Sequence, residues 1–281
     1  MTDAPTFVSR HRCFGGEVGF YKHLSSEIGG EMRFTVFVPA AAAKGKVPAL
    51  IYLAGLTCTE ETFTIKAGAQ QHAAKAGYIL VAPDTSPRHV RYPGDDASWD
   101  FGQSAGFYLD ATQEPWKKGY RMGSYIASEL PKYIEEHFPA DPARWGIFGH
   151  SMGGHGALVA ALRNPDRFRS VSAFAPIAAP SQCPWGEKGF GNYLGPDRKL
   201  WAEWDATELI KAGKRLPPIL IDQGLADNFL DAQLHPHLFE QACQKAGQTL
   251  TLRLHEGYDH GYYFISTFMG DHIAHHKSIL G

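Results

Sequence analysis

The feature that most constrains this chain is a recurring series of short, continuously apolar segments separated by stretches long enough to hold a helix. Ala49–Ala54, Tyr78–Ala82, Trp145–Phe148, Val171–Phe174, Ile219–Ile221 and Thr249–Leu254 all read this way. A strand that is apolar on both faces must be covered on both, and parallel strands need crossover connections that are usually helices. The series therefore predicts a mostly parallel central sheet with helices on both faces. The intervening stretches predict those helices over Glu60–Ala76, Gly119–His137, Gly153–Arg163, Phe229–Ala246 and Tyr262–His276.

Ahead of this series, Phe7–Phe14, Glu17–Ser25 and Glu31–Val38 are rich in β-branched and aromatic residues and are punctuated by Gly15-Gly16 and Gly29-Gly30. They predict consecutive antiparallel strands. Pro83–Trp116 and Pro176–Trp201 show little periodicity, and loops of that length in a compact fold are usually functional. With no repeat, low-complexity tract or linker, residues 1–281 are expected to form a single α/β domain. At 281 residues and 44% hydrophobic, the chain can bury roughly three quarters of its unfolded surface.

Twenty-seven Lys plus Arg against 29 Asp plus Glu give a formal charge of −2, without the broad basic face that nucleic-acid binding requires. Residues 1–15 lack the apolar run of a signal peptide. The longest apolar run, Val47–Leu56, contains Pro48 and falls far short of the roughly 18 residues a membrane span needs. Cys13, Cys58, Cys183 and Cys243 form no C-x-x-C pair, so they read as thiols in a reducing compartment. The expectation is a soluble cytoplasmic protein that binds neither membrane nor nucleic acid.

Two segments match G-x-S-x-G, and their context separates them. Gly102-Gln103-Ser104-Ala105-Gly106 follows no strand and opens no clear helix. Gly149-His150-Ser151-Met152-Gly153 follows the strand Trp145–Phe148 and opens the small-residue run Gly154–Leu162, the strand–turn–helix context of a nucleophile elbow in an α/β-hydrolase fold. Ser151 would stand at a helix N-terminus, where N–H groups favour developing negative charge. A serine needs a base to accept its proton and an acid to orient that base, in the chain order Ser, Asp or Glu, His.

Ile219–Ile221 leads to Asp222 at the strand end and to Asp227 in the following loop. Asp227, on the loop, is better placed to aim at a neighbouring loop. Thr249–Leu254 leads to His255 on the strand side of Gly257 and to His260 on the loop side, and the loop position is again preferred. His150 adjoins Ser151 too closely to be its base and, like His155, reads as a packing or polar-support residue. His272, His275 and His276 have the i, i+3, i+4 spacing of metal ligands, but no ligand set is completed. A polar face of the last helix explains them more simply, and no metal is expected. For the oxyanion of an acyl transfer, the N–H of Met152 needs a second donor from a loop after an early strand. Leu56, in Ala54-Gly55-Leu56-Thr57-Cys58, is the candidate, against the alternative of a plain strand-exit turn. Cys58 then falls near the acyl pocket, and Trp99, Phe107 and Trp185 on the two long loops are candidates for its walls.

With these residues in place, the chain resembles the S-formylglutathione hydrolases, also called the esterase D family. The likeness rests on Gly55-Leu56-Thr57-Cys58-Thr59-Glu60, Ser98-Trp99-Asp100-Phe101-Gly102, Gly106-Phe107-Tyr108, Tyr120-Arg121-Met122, Phe148 through Ala157, Cys183-Pro184-Trp185-Gly186, Ile221-Asp222-Gln223-Gly224 and Glu256-Gly257-Tyr258-Asp259-His260. The resemblance implies Ser151 as nucleophile, Asp227 as orienting acid, His260 as general base and the backbone N–H groups of Leu56 and Met152 as oxyanion donors. Where the family often has serine after the histidine, this chain has Gly261. The resemblance further implies cofactor-free hydrolysis of S-formylglutathione to glutathione and formate, a step of formaldehyde detoxification, in what is commonly a homodimer. Two other readings are a general short-chain carboxylesterase and a non-catalytic binding protein on the same fold.

Overall fold

The computed structural model describes residues 3–281; Met1 and Thr2, where the N-terminal and single-domain readings begin, lie outside them. Every segment marked by the apolar runs is a strand: β1 Thr6–Cys13, β2 Gly16–Ser25, β3 Gly30–Val38, β4 Val47–Leu53, β5 Ile79–Pro83, β6 Ala140–His150, β7 Ser170–Phe174, β8 Ile219–Gly224 and β9 Leu250–His255. They form one nine-stranded sheet in the order β1-β2-β3-β5-β4-β6-β7-β8-β9. The first three strands are an antiparallel meander whose third member pairs antiparallel with β5. All pairs from β5 to β9 are parallel. This is the α/β-hydrolase arrangement, with the carboxyl ends of six parallel strands along one edge.

Strands β4, β5, β7 and β8 are buried along their whole length, β4 at all seven positions. Pro48 is tolerated inside β4 because the register with β6 shifts between Val47 and Ala49, where a missing N–H costs no ladder bond. Tyr52 of β4 stacks on Phe63 at 3.7 Å, and Phe148 of β6 meets Tyr52 edge-on at 5.0 Å, which fixes helix Glu60–Lys66 against the sheet.

The helices differ from expectation where punctuation intervenes. The predicted Glu60–Ala76 helix is two, Glu60–Lys66 and Ala69–Ala76, because Gly68 turns left-handed (φ 63°) between them. In the predicted Gly119–His137 helix, a π-helical segment Tyr125–Glu129 precedes Leu130–His137, since Pro131 has no N–H to give the preceding turn. The predicted Phe229–Ala246 helix restarts at Pro236, behind a left-handed His235. Pro176–Trp201, expected to be loop, contains helix Pro184–Tyr193, whose periodicity is masked by Gly186, Gly189 and Gly191. Among the described residues no helix is long and apolar enough to cross a membrane.

The closing helix, Tyr262–Leu280, corrects one expectation. His272 and His276 do not form a polar outer face but are fully buried against β7. His272 bonds Ser172 Oγ through Nδ1 (2.8 Å) and Asp222 Oδ2 through Nε2 (3.2 Å). His276 bridges Ser172 and Ser170 (3.0 and 2.6 Å), and His275 Nε2 donates to the Val171 carbonyl.

Candidate active site

At the carboxyl edge of the sheet, β6 runs into Ser151, which adopts φ 58° and ψ −120° before helix Met152–Arg163 begins. A non-glycine residue at positive φ is strained, and here the surroundings hold it. The Ser151 N–H donates to Phe174 O of β7 (3.0 Å), and its carbonyl accepts from His155 N (3.0 Å) and Ile177 N (3.2 Å). The motif's glycines are required by contact: a Cβ on Gly153 would lie 1.9 Å from the Leu53 carbonyl oxygen, and one on Gly149 would lie 2.3 Å from that of Gly153. Only without side chains at both positions can the turn lie against β4.

Ser104, in the rival motif, also has positive φ but serves another purpose. Its Oγ accepts from Arg88 (2.9 Å), and its carbonyl accepts from Thr57 N (3.2 Å), so it buttresses the loop after β4. In that loop the Cys58 N–H donates to Gly55 O (3.3 Å). The Thr57 and Cys58 amides that follow are used, whereas the Leu56 N–H has no acceptor among the described residues. Met152 is the first residue of its helix, where a backbone N–H has no intrahelical partner.

Asp227 and His260 are brought together by the loops after β8 and β9. Those loops are stitched by Leu225 N to His255 O and Ala226 N to Tyr258 O, both 2.9 Å. His260 Nδ1–H donates to Asp227 Oδ2 at 2.5 Å, which fixes the tautomer and leaves Nε2 as the acceptor. Asp227 Oδ1 accepts from the Phe229 N–H (2.8 Å), and Oδ2 also accepts from Gln223 Nε2 (3.2 Å). The carboxylate is thus oriented by three donors and is shut off from solvent. Asp222, the rival acid, is engaged elsewhere by a two-bond fork from Arg253 (2.6 Å each). Burial works to raise its pKa, yet His272 and Arg253 hold its carboxyl below the ordinary range. His255 Nε2 also lies 3.2 Å from Asp222, away from the serine.

Ser151 and His260 line one cleft of about 390 Å³. Leu56, Cys58, Trp99 and Trp185 line it too, and the two tryptophans meet edge-on at 5.5 Å. Phe107 does not. It is fully buried, with its ring against Phe190 and its carbonyl bonded to His155 Nε2 (3.0 Å), because the chain at Phe107 turns inward at φ 49°. Burial pushes the Cys58 thiol pKa up against the lowering effect of Thr62 and Tyr262, so at neutral pH the residue is a thiol. His150 packs its ring 4.3 Å from His260, and burial lowers its pKa far enough to keep it neutral.

Four contributors escaped the sequence reading. Gln223 stands in a quoted motif but gave no sign of reaching Asp227. Phe229, edge-on to His260 at 5.1 Å, and Tyr262 were assigned to helices. Lys66 ends helix Glu60–Lys66 at the cleft rim.

The Esterase family model matches residues 25–275. The S-formylglutathione hydrolase of Mus musculus is 54% identical over 97% of this chain and 98% of its own length. That of Rattus norvegicus is 52% identical with the same coverage. An S-formylglutathione hydrolase structure from Agrobacterium tumefaciens, 49% identical, superposes with a TM-score of 0.96 over 98% of this chain and 100% of that one. With its sheet, its elbow and its full-length likeness in agreement, the chain belongs to the S-formylglutathione hydrolases of the esterase family.

Proposed function

We propose that this chain, acting as one α/β-hydrolase domain, hydrolyses the thioester S-formylglutathione to glutathione and formate. The observation that carries the reading is the Asp227–His260 pair at 2.5 Å, whose histidine lines the same cleft as a serine on a nucleophile elbow. In this mechanism His260 Nε2 takes the Ser151 hydroxyl proton as Oγ attacks the formyl carbon. Asp227 holds the imidazole in the required tautomer and stabilises the imidazolium. The oxyanion of the tetrahedral intermediate is bound by the N–H groups of Leu56 and Met152. Collapse breaks the C–S bond, His260 returns the proton to the departing sulfur, and glutathione leaves. Water, activated by His260, then releases formate from the formyl-serine. No cofactor enters these steps.

Four free cysteines favour a reducing cytoplasm, and the family's usual assembly is a homodimer, to be read by light scattering. The deciding experiment is steady-state kinetics with synthetic S-formylglutathione against short acyl esters. The expected kcat/KM is at least about 100-fold higher for the thioester. Equal or reversed values would make the protein a general short-chain carboxylesterase, and failure to form any acyl-enzyme would make it a non-catalytic member of the fold.

A further inference from the structure

The cleft is nearly free of charge. Among the described residues that line it, Lys66 is the only permanently charged side chain and no carboxylate is present; Asp227 is buried behind His260. Lys66 is exposed at the last position of helix Glu60–Lys66, the helix that directly follows the Leu56 loop. Its ammonium lies 6.0 Å from the Tyr262 ring centroid and has no carboxylate within ion-pair distance among the described residues. Lys188, in the helix that carries Trp185, is by contrast paired with Asp100 at 2.5 Å. An unpaired cation at the rim of a neutral, aromatic-walled cleft is arranged to receive an anion brought by the substrate.

Glutathione carries two carboxylates and one ammonium, a net charge of −1 at neutral pH, while the formyl group carries none. We propose that Lys66 is a specificity-determining residue that binds a carboxylate of the glutathionyl moiety, so that the enzyme distinguishes its thioester by the charge on the leaving group. This rests on the reading of S-formylglutathione as substrate. The alternative is that Lys66 only complements the carbonyl end of its own helix. That role would affect stability but would not discriminate between substrates.

The test compares kcat/KM for S-formylglutathione with that for S-formyl-N-acetylcysteamine, a neutral thioester carrying the same acyl group, in the full-length enzyme. For an exposed ion pair the ratio should fall about threefold in Lys66→Met and about tenfold in Lys66→Glu, where attraction becomes repulsion. The change should reside in KM, and Lys66→Arg should restore the ratio. Added salt should lower the wild-type ratio and leave that of Lys66→Met nearly constant. A Lys66→Glu ratio within twofold of wild type, in an enzyme that still turns over S-formylglutathione, overturns the proposal alone. A wild type that hydrolyses the neutral thioester but not S-formylglutathione overturns the substrate reading and this inference with it.

Discussion

Two chains of serine, histidine and aspartate are supported by strand β8, and they have opposite fates. One comprises Ser151, His260 and Asp227 at the carboxyl edge. The other, Ser172–His272–Asp222, runs through the core: Ser172 O–H donates to His272 Nδ1 (2.8 Å), and His272 Nε2–H donates to Asp222 (3.2 Å). Only the buried chain has a serine–histidine hydrogen bond among the described residues, yet all three of its side chains are sealed from solvent. It also continues, because Ser172 Oγ accepts from His276 Nε2–H while His276 Nδ1 accepts from Ser170. Each donor there has one acceptor, and none is spare for a substrate. Arg253 further neutralises Asp222, whereas Asp227 faces only neutral donors besides its histidine. Residue identity and hydrogen-bond order therefore do not make an active site. A strained serine lining a cleft, a histidine with a free ring nitrogen and backbone donors without acceptors are what the proposed active site has instead.

Exchanging the serines is the sharpest way to break this comparison. Ser151→Ala should lower kcat by about 10⁶-fold with unchanged melting temperature, because the covalent route is lost. Ser172→Ala should retain turnover per folded molecule but melt roughly 5–10 °C lower, since it strands two buried imidazole nitrogens. Calorimetry beside steady-state kinetics separates the two, and the reverse outcome would exchange the roles assigned to the two chains.

The aspartates should divide the same way. Asp227→Asn should cost about 10⁴-fold in kcat through the wrong tautomer. Asp222→Asn should instead cost about 3 kcal/mol of stability, because it breaks a buried pair and leaves Arg253 unmatched; urea midpoints would read this.

Acid should loosen the buried histidines, His272 of the sealed chain among them. Burial lowers the pKa of His272 below 6.5, and that of His23 and His155 from 6.5 to about 4. Unfolded chains bind these protons more readily, so the stability that comes from keeping the rings neutral is full above pH 6.5 and lost as pH falls towards 4. The urea midpoint should drop steadily across that window. His272→Gln should flatten the slope, and a pH-independent midpoint would refute the linkage.

The smallest expected effect concerns Cys58, a bystander of the open chain. Cys58→Ala should remain within about threefold of wild type, because the proposed nucleophile is Ser151. A bulky thiol reagent should inhibit wild type and spare this variant. Its rate should still be climbing above the ordinary thiol pKa of about 8.5, given the upward shift from burial. Inactive, folded Cys58→Ala would make the thiol a participant.

What the sequence made legible follows from the range of the interactions concerned. Strands apolar on both faces announce themselves, and so does Ser151, because the elbow's contacts with Gly149 and Gly153 are local. Asp227 and His260 could be found from chain order and loop position alone. The sealed chain could not: Ser172 and His272 lie 100 residues apart, so His272 and His276 read as a polar helix face until β7 is placed beneath them. Phe107 resembled a pocket wall for the same reason, since only its backbone conformation turns it inward. Gln223 looked like one more strand residue because its carboxylate partner lies beyond the strand end.

The stitching of the loops after β8 and β9 bears on synthesis. Leu225 and Ala226 bond to partners made some 30 residues later, so the proposed Asp227–His260 pair comes together only after β9 has been synthesised. A chain that stops before His260 contains Ser151 but lacks the residue proposed to take its proton. Hydrolytic activity is therefore expected only of chains that extend past His260, and a shorter fragment carries the proposed nucleophile without its base.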